Sequence, residues 1–275
     1  MALQKDYIFE NPLVSVVIPC FNDGIYLNET IEKLSLQTYQ NIEIIIVNDG
    51  STDKHTLDVL VVLSTHQNIR VLHKENGRMS SARNYGVKHA NGTIIAALDA
   101  DDYFAPSFFD KALQILEKEP STGVVTSYIK YFGERKGNAK PRGGNAFNFL
   151  FSSQCPACAI VRKEVWDSVG GYDESMKNGY EDWEFYIRVT QQKWQVHVIA
   201  EYLLFYRQTK KSTHNNYTIP NRQALIDYIL DKHKDWYLNC LKELVMNKQV
   251  LYTESRISFQ DIWKMLKNRL LKKYK

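Results

Sequence analysis

The chain has 275 residues, of which 44% are hydrophobic and 24% charged, and its formal net charge is +4. This composition is typical of a globular protein, and four cysteines are too few for a disulfide framework. The small net charge does not indicate a nucleic-acid partner. No apolar stretch approaches the ~20 residues that cross a bilayer, and the start, MALQKDYIFENP, lacks the features of a signal peptide. We therefore expect a cytosolic protein.

Strand and helix patterns alternate along the first 120 residues. Short β-branched runs predict strands at LVSVVIP, IEIIIVND, IRVLHKE and TIIAALD. Helical spacing follows each run, in YLNETIEKLSLQ, TDKHTLDVLVVLS, SSARNYGVKHA and APSFFDKALQILEKE. Thr52 or Asp53 is expected to cap the second helix, and Pro106 to lie in the first turn of the fourth. The alternation predicts an α/β fold with a mostly parallel sheet and helices on both faces.

The pattern changes after residue 120. GVVTSYIKYF predicts a strand, CAIVRKEVWDSVGGYDE a strand with a short helix and a turn, YEDWEFYIRVTQQ a helix, and VHVIAEYLLFYRQ one or two strands. The glycine-rich basic segment GERKGNAKPRGGN predicts a mobile loop. From about residue 217 the pattern is helical and basic. We expect a tail over 1–11, one domain over 12–216 with halves 12–120 and 121–216, and a helical extension over 217–275.

Three carboxylates, Asp99, Asp101 and Asp102, crowd the end of the fourth predicted strand. Crowded carboxylates raise one another's pKa, and a divalent cation would offset their charge. In parallel sheets ligands bind beyond the carboxyl ends of the strands, where PCFN and NDGSTD also lie. The residues therefore predict a Mg2+ or Mn2+ site that holds a diphosphate, with a solvated turn as the alternative.

The motifs of two other nucleotide-binding classes are missing from the sequence, and its one cysteine pair does not indicate a metal or redox site. The chain has neither GxGxxG nor GxxxxGK[ST], which argues against a dinucleotide oxidoreductase and a P-loop NTPase. CPAC, from Cys155 to Cys158, has no second cysteine pair for zinc and stands in mid-chain, so we interpret it as two packed thiols.

The motifs VSVVIPCFN, NDGSTD, ENGRMSSARNYG, LDADD and GYEDWEF together resemble family 2 inverting glycosyltransferases of the GT-A fold. The resemblance runs to about residue 214, roughly three quarters of the chain. It implies that Pro19 and Phe21 lie at the nucleotide, with Phe21 against uracil. It implies that Asp49 accepts a hydrogen bond from the base, although a helix cap also explains this residue. Asp99 would face the ribose or the metal, and Asp101 would bind the metal.

The resemblance assigns further roles. Arg78 stands where many members have a second glycine, and it would lie against the nucleobase or be a solvated cation. Arg83 matches the ARN of the family and would serve the nucleotide-sugar site or pair with nearby acids. Asp182 would be the base that deprotonates the acceptor, whereas a solvated helix start would also favour acids there. His214 would complete the metal shell, or lie in a polar loop without a role. Two neighbouring acids have supporting roles, Glu181 orienting the turn and Glu184 lying on another helical face.

The resemblance implies a metal-dependent inverting transferase that moves a sugar from a UDP-sugar to a hydroxyl of a glycan or lipid-linked glycan in cell-envelope polysaccharide synthesis. A nucleotidyltransferase is an alternative, but PCFNDGIY lacks the glycine-rich basic loop of that class. A sugar-nucleotide-binding protein without catalysis is another, and the presence of both Asp101 and Asp182 argues against it. The donor sugar, the acceptor and the linkage do not follow from the sequence.

The last segment, RISFQDIWKMLKNRLLKKYK, has an apolar stripe at helical spacing and a basic remainder. Such a helix either packs its stripe on the catalytic domain or lies on an anionic membrane surface. The second alternative predicts that residues 255–275 make a peripheral contact with the inner face of the cell membrane. The stripe consists of Phe259, Trp263, Leu266, Leu270 and Tyr274.

Overall fold

A computed structural model of the protein describes residues 11–209 and 214–246, with the backbone alone at residues 214 and 215. The described strands form one nine-stranded sheet. In chain order they are β1 Val14–Cys20, β2 Ile42–Asp49, β3 Ile69–Lys74, β4 Ile94–Ala97, β5 Tyr103–Phe104, β6 Thr122–Gly133, β7 Gly137–Ala139, β8 Ala159–Arg162 and β9 Gln195–Gln208.

The first four strands form a parallel half-sheet in the order β3-β2-β1-β4. β1 is buried along its whole length, which explains its continuous run of apolar and small residues. Parallel neighbours need crossover connections, and helices supply them here. These are α1 Gly24–Ser35, α2 Lys54–Leu63 and α3 Arg78–Lys88. Asp53 accepts a hydrogen bond from the Thr56 N–H and is the N-cap of α2. It is one of the two residues that the sequence predicted for this cap.

The second half-sheet continues from β4. β8 is antiparallel to β4 and to β6, whereas β6 and β9 form the longest pairing and are parallel. β5 pairs antiparallel with β9. The helices of this half are α4 Phe108–Lys118, α5 Lys163–Val169 and α6 Glu181–Gln191. The expected α/β fold, with a mostly parallel sheet and surrounding helices, is confirmed.

Two local predictions differ from the structure, and one strand was missed. Within GERKGNAKPRGGN, β7 pairs antiparallel with β6, so this segment is a β-hairpin rather than an open loop. Pro106 lies outside α4, because Ser107 is the N-cap of that helix. β5 was not expected. Strands of two or three residues are too short for a periodic signal, and their pairing with a long neighbour forms them.

α3 packs closely on β1, which positions the residues that follow the parallel strands. A Cβ at Gly86 would overlap the side chain of Val17, so glycine is required for this approach. Arg83 lies one helical turn earlier and is 1% exposed. The close packing of α3 on the sheet therefore brings a buried cation towards the carboxyl edge of β4.

The chain divides into two compact units, one ending at Leu225 and the other beginning at Ile226. Helices α7, Ile219–Lys232, and α8, Lys234–Met246, confirm the helical character that the sequence shows after 217. The expected domain bounds at 11/12, 120/121 and 216/217 stay predictions. In the described part of the chain, no helix is both long and apolar enough to span a bilayer. Residues 255–275 lie outside the described residues, and their membrane contact stays a prediction.

Candidate active site

The carboxyl ends of β1, β2 and β4 lie side by side, because these strands are parallel neighbours. Phe21 directly follows β1, Asp49 ends β2, and Asp99 stands two residues beyond β4. Three of the motifs that the sequence places at strand ends therefore meet at one edge of the sheet. Ligands of parallel α/β sheets bind at this edge.

Phe21 is an exposed aromatic residue at this edge, with 46% of its surface accessible. Pro19 is buried in β1 opposite Val47 and lies two residues before Phe21. It can therefore affect the site by fixing the backbone that leads to Phe21. Asn22 joins two motifs, because its side-chain oxygen accepts hydrogen bonds from the backbone N–H groups of Thr52 and Asp53. The contacts of Pro19 and Phe21 with a nucleotide stay predictions.

Asp49 holds the first turn of α3. Its carboxylate accepts hydrogen bonds from the backbone N–H groups of Gly77, at 2.9 Å, and Arg78, at 2.8 Å. Lys74 Nζ donates to the same carboxylate at 2.8 Å. Free N–H groups and the helix dipole stabilise an anion at such a place. Asp49 therefore has the capping role that was its alternative interpretation, and its recognition of a base stays a prediction.

Arg78 adopts a left-handed backbone conformation, with φ 72°. Glycine reaches this conformation without strain, which gives a physical reason for the second glycine of the family pattern. The Arg78 guanidinium lies over the ring of Tyr217, 5.3 Å from its centroid. The residue that departs from the family pattern thus contacts the segment that follows β9, and its contact with a nucleobase stays a prediction.

The three acids after β4 have different surroundings. Asp102 is 1% exposed, and its carboxylate accepts hydrogen bonds from the Arg207 backbone N–H, at 2.7 Å, and the Cys158 thiol, at 3.5 Å. Burial, followed by the charges of Asp101 and Asp99, raises the pKa of Asp102. Burial and then the charge of Asp99 raise the pKa of Asp101 to about 7. Burial and mutual repulsion thus disfavour the ionised forms of Asp101 and Asp102, and a bound cation would favour them.

Asp99, Asp102 and Cys158 each offer a ligand atom, and these atoms all lie within 4.8 Å of one another in the described part of the chain. Burial and the charge of Asp99 raise the pKa of the Cys158 thiol, which keeps it protonated and a poor ligand. Mg2+ and Mn2+ prefer oxygen ligands, so the carboxylates fit such an ion and the thiol does not. The role of Asp101 as a direct ligand stays a prediction. The side chain of His214, the other expected ligand, lies outside the described residues.

Arg83 joins the acid cluster to the GYEDWEF motif. Its Nη2 donates to Asp99 at 2.6 Å, and its Nη1 donates to Glu181 at 3.0 Å. Its guanidinium also lies 5.3 Å from the ring centroid of Tyr172. Because Arg83 is buried and both acids engage it, the structure favours the pairing interpretation over direct contact with a nucleotide. The expected role of Arg83 at the nucleotide-sugar site stays a prediction.

Asp182 is half-buried in the first turn of α6, beside Glu181. Its carboxylate accepts a hydrogen bond from the Trp183 N–H at 2.7 Å. Burial and the charge of Glu181 raise the pKa of Asp182 to about 7, although the Trp183 N–H and the charge of Arg83 act in the opposite direction. A carboxylate with this pKa can take up and release a proton near neutral pH, as a general base must.

Glu184 is fully buried, unlike a residue on a solvated face of α6. Arg188 donates to both of its oxygens, at 2.8 and 2.7 Å. This bidentate pair one turn along α6 is structural, since it satisfies a buried carboxylate. Glu181, by contrast, pairs with Arg83, which agrees with its expected role of orienting the turn.

Arg207 is the site residue that the motifs do not reveal. Its Nε donates to the Asp101 carbonyl at 3.1 Å, and its Nη2 lies 2.5 Å from Glu29. The backbone N–H of the same residue binds Asp102. One signal was present, because this arginine is the last but one residue of the predicted strand VHVIAEYLLFYRQ, at the edge where the acids lie.

Residues Tyr217 and Thr218 also approach the site, although no sequence pattern indicates them. Gly179, the first residue of the GYEDWEF motif, has φ 112°, and an added Cβ would overlap Thr218 Oγ1. Tyr217 lies over Arg78. The segment after β9 therefore contacts both the start of α3 and the turn that precedes Asp182.

Cys155 and Cys158 are both buried and unbonded to each other. Burial raises the pKa of both thiols. They are therefore poor nucleophiles, and the interpretation of CPAC as packed thiols is confirmed.

Comparisons with known proteins show the family of the chain. The family model described as "Glycosyl transferase family 2" matches residues 15–170. An "Uncharacterized glycosyltransferase" of Rickettsia typhi is 32% identical over 194 residues, which are 66% of this chain and 60% of that protein. The chain therefore spans less than two thirds of the length of that relative. A second from Rickettsia prowazekii is 28% identical over 96% of this chain and 83% of its own length. Chondroitin synthase of Pasteurella multocida is 29% identical over 70% of this chain and 20% of its own length.

Solved structures show the same fold. A crystal structure of S. aureus TarS 1-349 in complex with UDP-GlcNAc has a TM-score of 0.64 at 19% identity, covering 74% of this chain and 60% of that one. The same protein in complex with UDP has a TM-score of 0.62 at 19% identity, covering 91% of this chain and 77% of that one. At this identity the likeness concerns the fold.

Proposed function

This chain belongs to glycosyl transferase family 2 and is a glycosyltransferase with the GT-A fold, and from that premise we propose that it transfers a sugar with inversion from a UDP-sugar, using a divalent cation. The observation that carries this proposal is the Asp99–Arg83–Glu181 bridge. It joins the acid cluster after β4 to the turn that holds Asp182. The residues for a diphosphate-bound cation and for a general base thus belong to one site.

The donor is proposed to be a UDP-sugar. The fold neighbours with UDP and UDP-GlcNAc support a nucleotide-sugar site at the carboxyl edge of the sheet. Phe21 offers an exposed ring for the uracil. Asp49 retains acceptor capacity beside its three hydrogen bonds, since a carboxylate has about four lone-pair sites. Arg78 would flank the base from the Tyr217 side.

The cation is proposed to be Mn2+ or Mg2+, held by Asp101 with Asp99 or Asp102. Bound there, it would neutralise charge on the departing diphosphate. Asp102 is held by the Arg207 N–H, and Asp99 by Arg83, so both carboxylates keep fixed positions. Fixed ligands lower the reorganisation that binding requires. His214 stays a proposed further ligand.

Asp182 is proposed to act as the general base. It would accept the proton of an acceptor hydroxyl, whose oxygen then bonds to the anomeric carbon while the bond to the diphosphate breaks. One displacement from the opposite face inverts the anomeric centre, and no covalent enzyme intermediate is needed. The pKa of about 7 leaves a large fraction of Asp182 ionised near neutral pH.

The acceptor is proposed to be a hydroxyl of a glycan or lipid-linked glycan in cell-envelope polysaccharide synthesis. The similarity to a bacterial chondroitin synthase supports a polysaccharide product. A peripheral location on the inner face of the membrane remains part of this proposal, through residues 255–275. Neither the sugar nor the linkage is assigned.

The proposal is tested by first screening UDP-, GDP- and dTDP-sugars for Mn2+-dependent thermal stabilisation, because a ligand that binds the native state raises Tm. UDP release from the best donor is then measured with and without a panel of acceptors. We expect stabilisation by UDP-sugars, acceptor-stimulated release, loss with EDTA, and an inverted anomeric centre by NMR. Retention of configuration would contradict the proposal, as would equal stabilisation by all three nucleotide classes.

A further inference from the structure

A strongly basic β-hairpin projects from the carboxyl edge of β6. Residues 130–142 carry five basic residues and one acid, a net charge of +4, which equals the formal net charge of the whole chain. All five basic residues are exposed, and none of them forms an ion pair in the part of the chain that the structure describes. They are Lys130, Arg135, Lys136, Lys140 and Arg142.

The hairpin is anchored at both of its ends. β7 pairs with Ile129–Tyr131 of β6. Gly144 forms an isolated bridge with Val196, and the Gly143 N–H donates to the Gln154 carbonyl at 3.0 Å. The cations therefore lie on a defined ribbon of backbone. A fixed ribbon loses less entropy on binding a ligand than a free loop does.

Contacts connect this ribbon to the acid cluster. Lys130 lies 5.8 Å from the ring centroid of Phe205, and Phe205 stacks on Tyr103, the residue after Asp102, at 4.7 Å. The Arg207 guanidinium lies 4.4 Å from the ring centroid of Phe132. The first residues of the hairpin are thus connected to the acids after β4 through one aromatic pair, Phe205 and Tyr103.

The position of β6 separates the hairpin from the proposed nucleotide site. In the sheet order β2-β1-β4-β8-β6, Asp49 and Phe21 follow β2 and β1, whereas the hairpin follows β6, two strands beyond β4. At the usual spacing between strands, β6 lies roughly 10 Å past β4. In the proposed binding mode, the base of the donor lies at the ends of β1 and β2, and its diphosphate lies at the acids after β4. The hairpin then lies beyond the diphosphate, on the side of the donor where an acceptor would enter.

We propose that this hairpin binds phosphate groups of the acceptor, so that the acceptor is a phosphate-bearing glycan or a glycan linked to a lipid diphosphate. The proposal rests on the proposed function, since it names the class of the acceptor. Five cations without an ion-pair partner among the described residues, held on an ordered ribbon, attract a multiply charged anion, whereas a neutral glycan would not engage that charge. Two of the lysines lie over aromatic rings, Lys130 over Phe205 and Lys140 over Tyr128.

The test compares a double variant, Lys136→Gln with Lys140→Gln, with a matched control, Lys88→Gln with Lys118→Gln. The control removes the same charge from the last turns of α3 and α4, which precede β4 and β6 and so lie at the opposite edge of the sheet. The probes are a glucan oligosaccharide with phosphate monoesters and the same oligosaccharide without them. A second pair is a prenyl-diphosphate-linked disaccharide and its uncharged ether analogue, both in detergent micelles.

We expect the parent and the control to bind at least one phosphate-bearing probe and neither neutral analogue, with affinity that falls as salt rises. The hairpin variant should bind that probe about fivefold more weakly for each charge removed. The probe that binds identifies the source of the phosphate. Equal binding of charged and neutral probes, equal loss in the control, or no binding of either charged probe would overturn the proposal.

UDP binding with Mn2+ is measured on the same proteins, which separates this proposal from the proposed function. We expect the hairpin variant to bind UDP as the parent does. If its UDP affinity falls while its affinity for the phosphate-bearing probe does not, the cations serve the donor and the proposal is wrong. Loss of binding to phosphatidylglycerol vesicles in the hairpin variant, with unchanged binding of both charged probes, would assign the hairpin to a membrane and would also overturn the proposal. Failure of the parent to bind UDP would instead contradict the proposed function.

Discussion

Replacing Arg83 with methionine removes the buried guanidinium that joins the two halves of the site. The side chain is 1% exposed and pairs with Asp99 at 2.6 Å and Glu181 at 3.0 Å. Methionine keeps much of the volume but leaves two carboxylates without their cation. Removing one partner of a buried ion pair costs about 3–5 kcal/mol, a large part of the roughly 5–15 kcal/mol that stabilises a typical domain.

The loss in Arg83→Met should depend on pH. Carboxylates that are buried without a cation are more stable when protonated, so lowering the pH restores part of the free energy of unfolding. We expect the difference from the parent to be larger near pH 8 than near pH 5.5. The same substitution removes a positive charge that lowers the pKa of Asp182. The pH at which the transfer rate reaches half its maximum should therefore move upward from about 7.

The assay is urea unfolding followed by tryptophan fluorescence at several pH values, together with the pH profile of transfer. Arg188→Met is the comparison, because Arg188 pairs with buried Glu184 on the same helix and does not contact Asp99. It should lose stability without moving the pH profile. An Arg83→Met protein with parental stability, or with a shift in profile no larger than that of Arg188→Met, would refute the bridging role.

Three further predictions concern the same site. Asp101→Asn should weaken Mn2+-dependent UDP binding by at least about tenfold while leaving the cation-independent part unchanged, since a charged ligand is lost; calorimetry with and without Mn2+ measures both, and equal affinities would remove Asp101 from the metal site. In the parent, the transfer rate should rise with pH through about 7 and then level off, because Asp182 acts as a base only after losing its proton; a rate that falls over this interval argues for another base. Gly179→Ala should lower the free energy of unfolding by roughly 1–3 kcal/mol, because alanine is strained at φ 112° and its Cβ overlaps Thr218; an unchanged urea midpoint would show that the turn adjusts freely.

Much of the fold follows from local patterns. β1 and β2 are continuous apolar runs bounded by polar turns, and each is followed by residues at helical spacing, so their type and order could be predicted. The two-residue strand β5 and the hairpin strand β7 could not, because long-range pairing with β9 and β6 forms them. Their local sequences carry no periodic signal.

The candidate site, like the fold, could be predicted from the sequence only in part. Asp99 and Asp182 stand in motifs at the ends of predicted elements, and Arg83 joins Asp99 to Glu181, the neighbour of Asp182. The burial of Arg83 was not evident, because a cation on a short helix is usually solvated. The contacts of Arg207 with Asp101 and Asp102 depend on the antiparallel pairing of β5 with β9, which brings together residues about a hundred positions apart in sequence. Sequence spacing alone does not specify such contacts.

The central claim is that Asp182 is the base of an inverting transfer, and the transfer rate of Asp182→Asn tests it most directly. The amide keeps the shape and the hydrogen bond to the Trp183 N–H but cannot take a proton at neutral pH. With saturating UDP-sugar and Mn2+, we expect UDP affinity within twofold of the parent and a transfer rate lower by about 10²–10⁴-fold. Asp167→Asn, at an exposed acid of α5, should transfer at the parental rate. Transfer by Asp182→Asn within about tenfold of the parent, with UDP bound normally, would contradict the claim and place the base elsewhere.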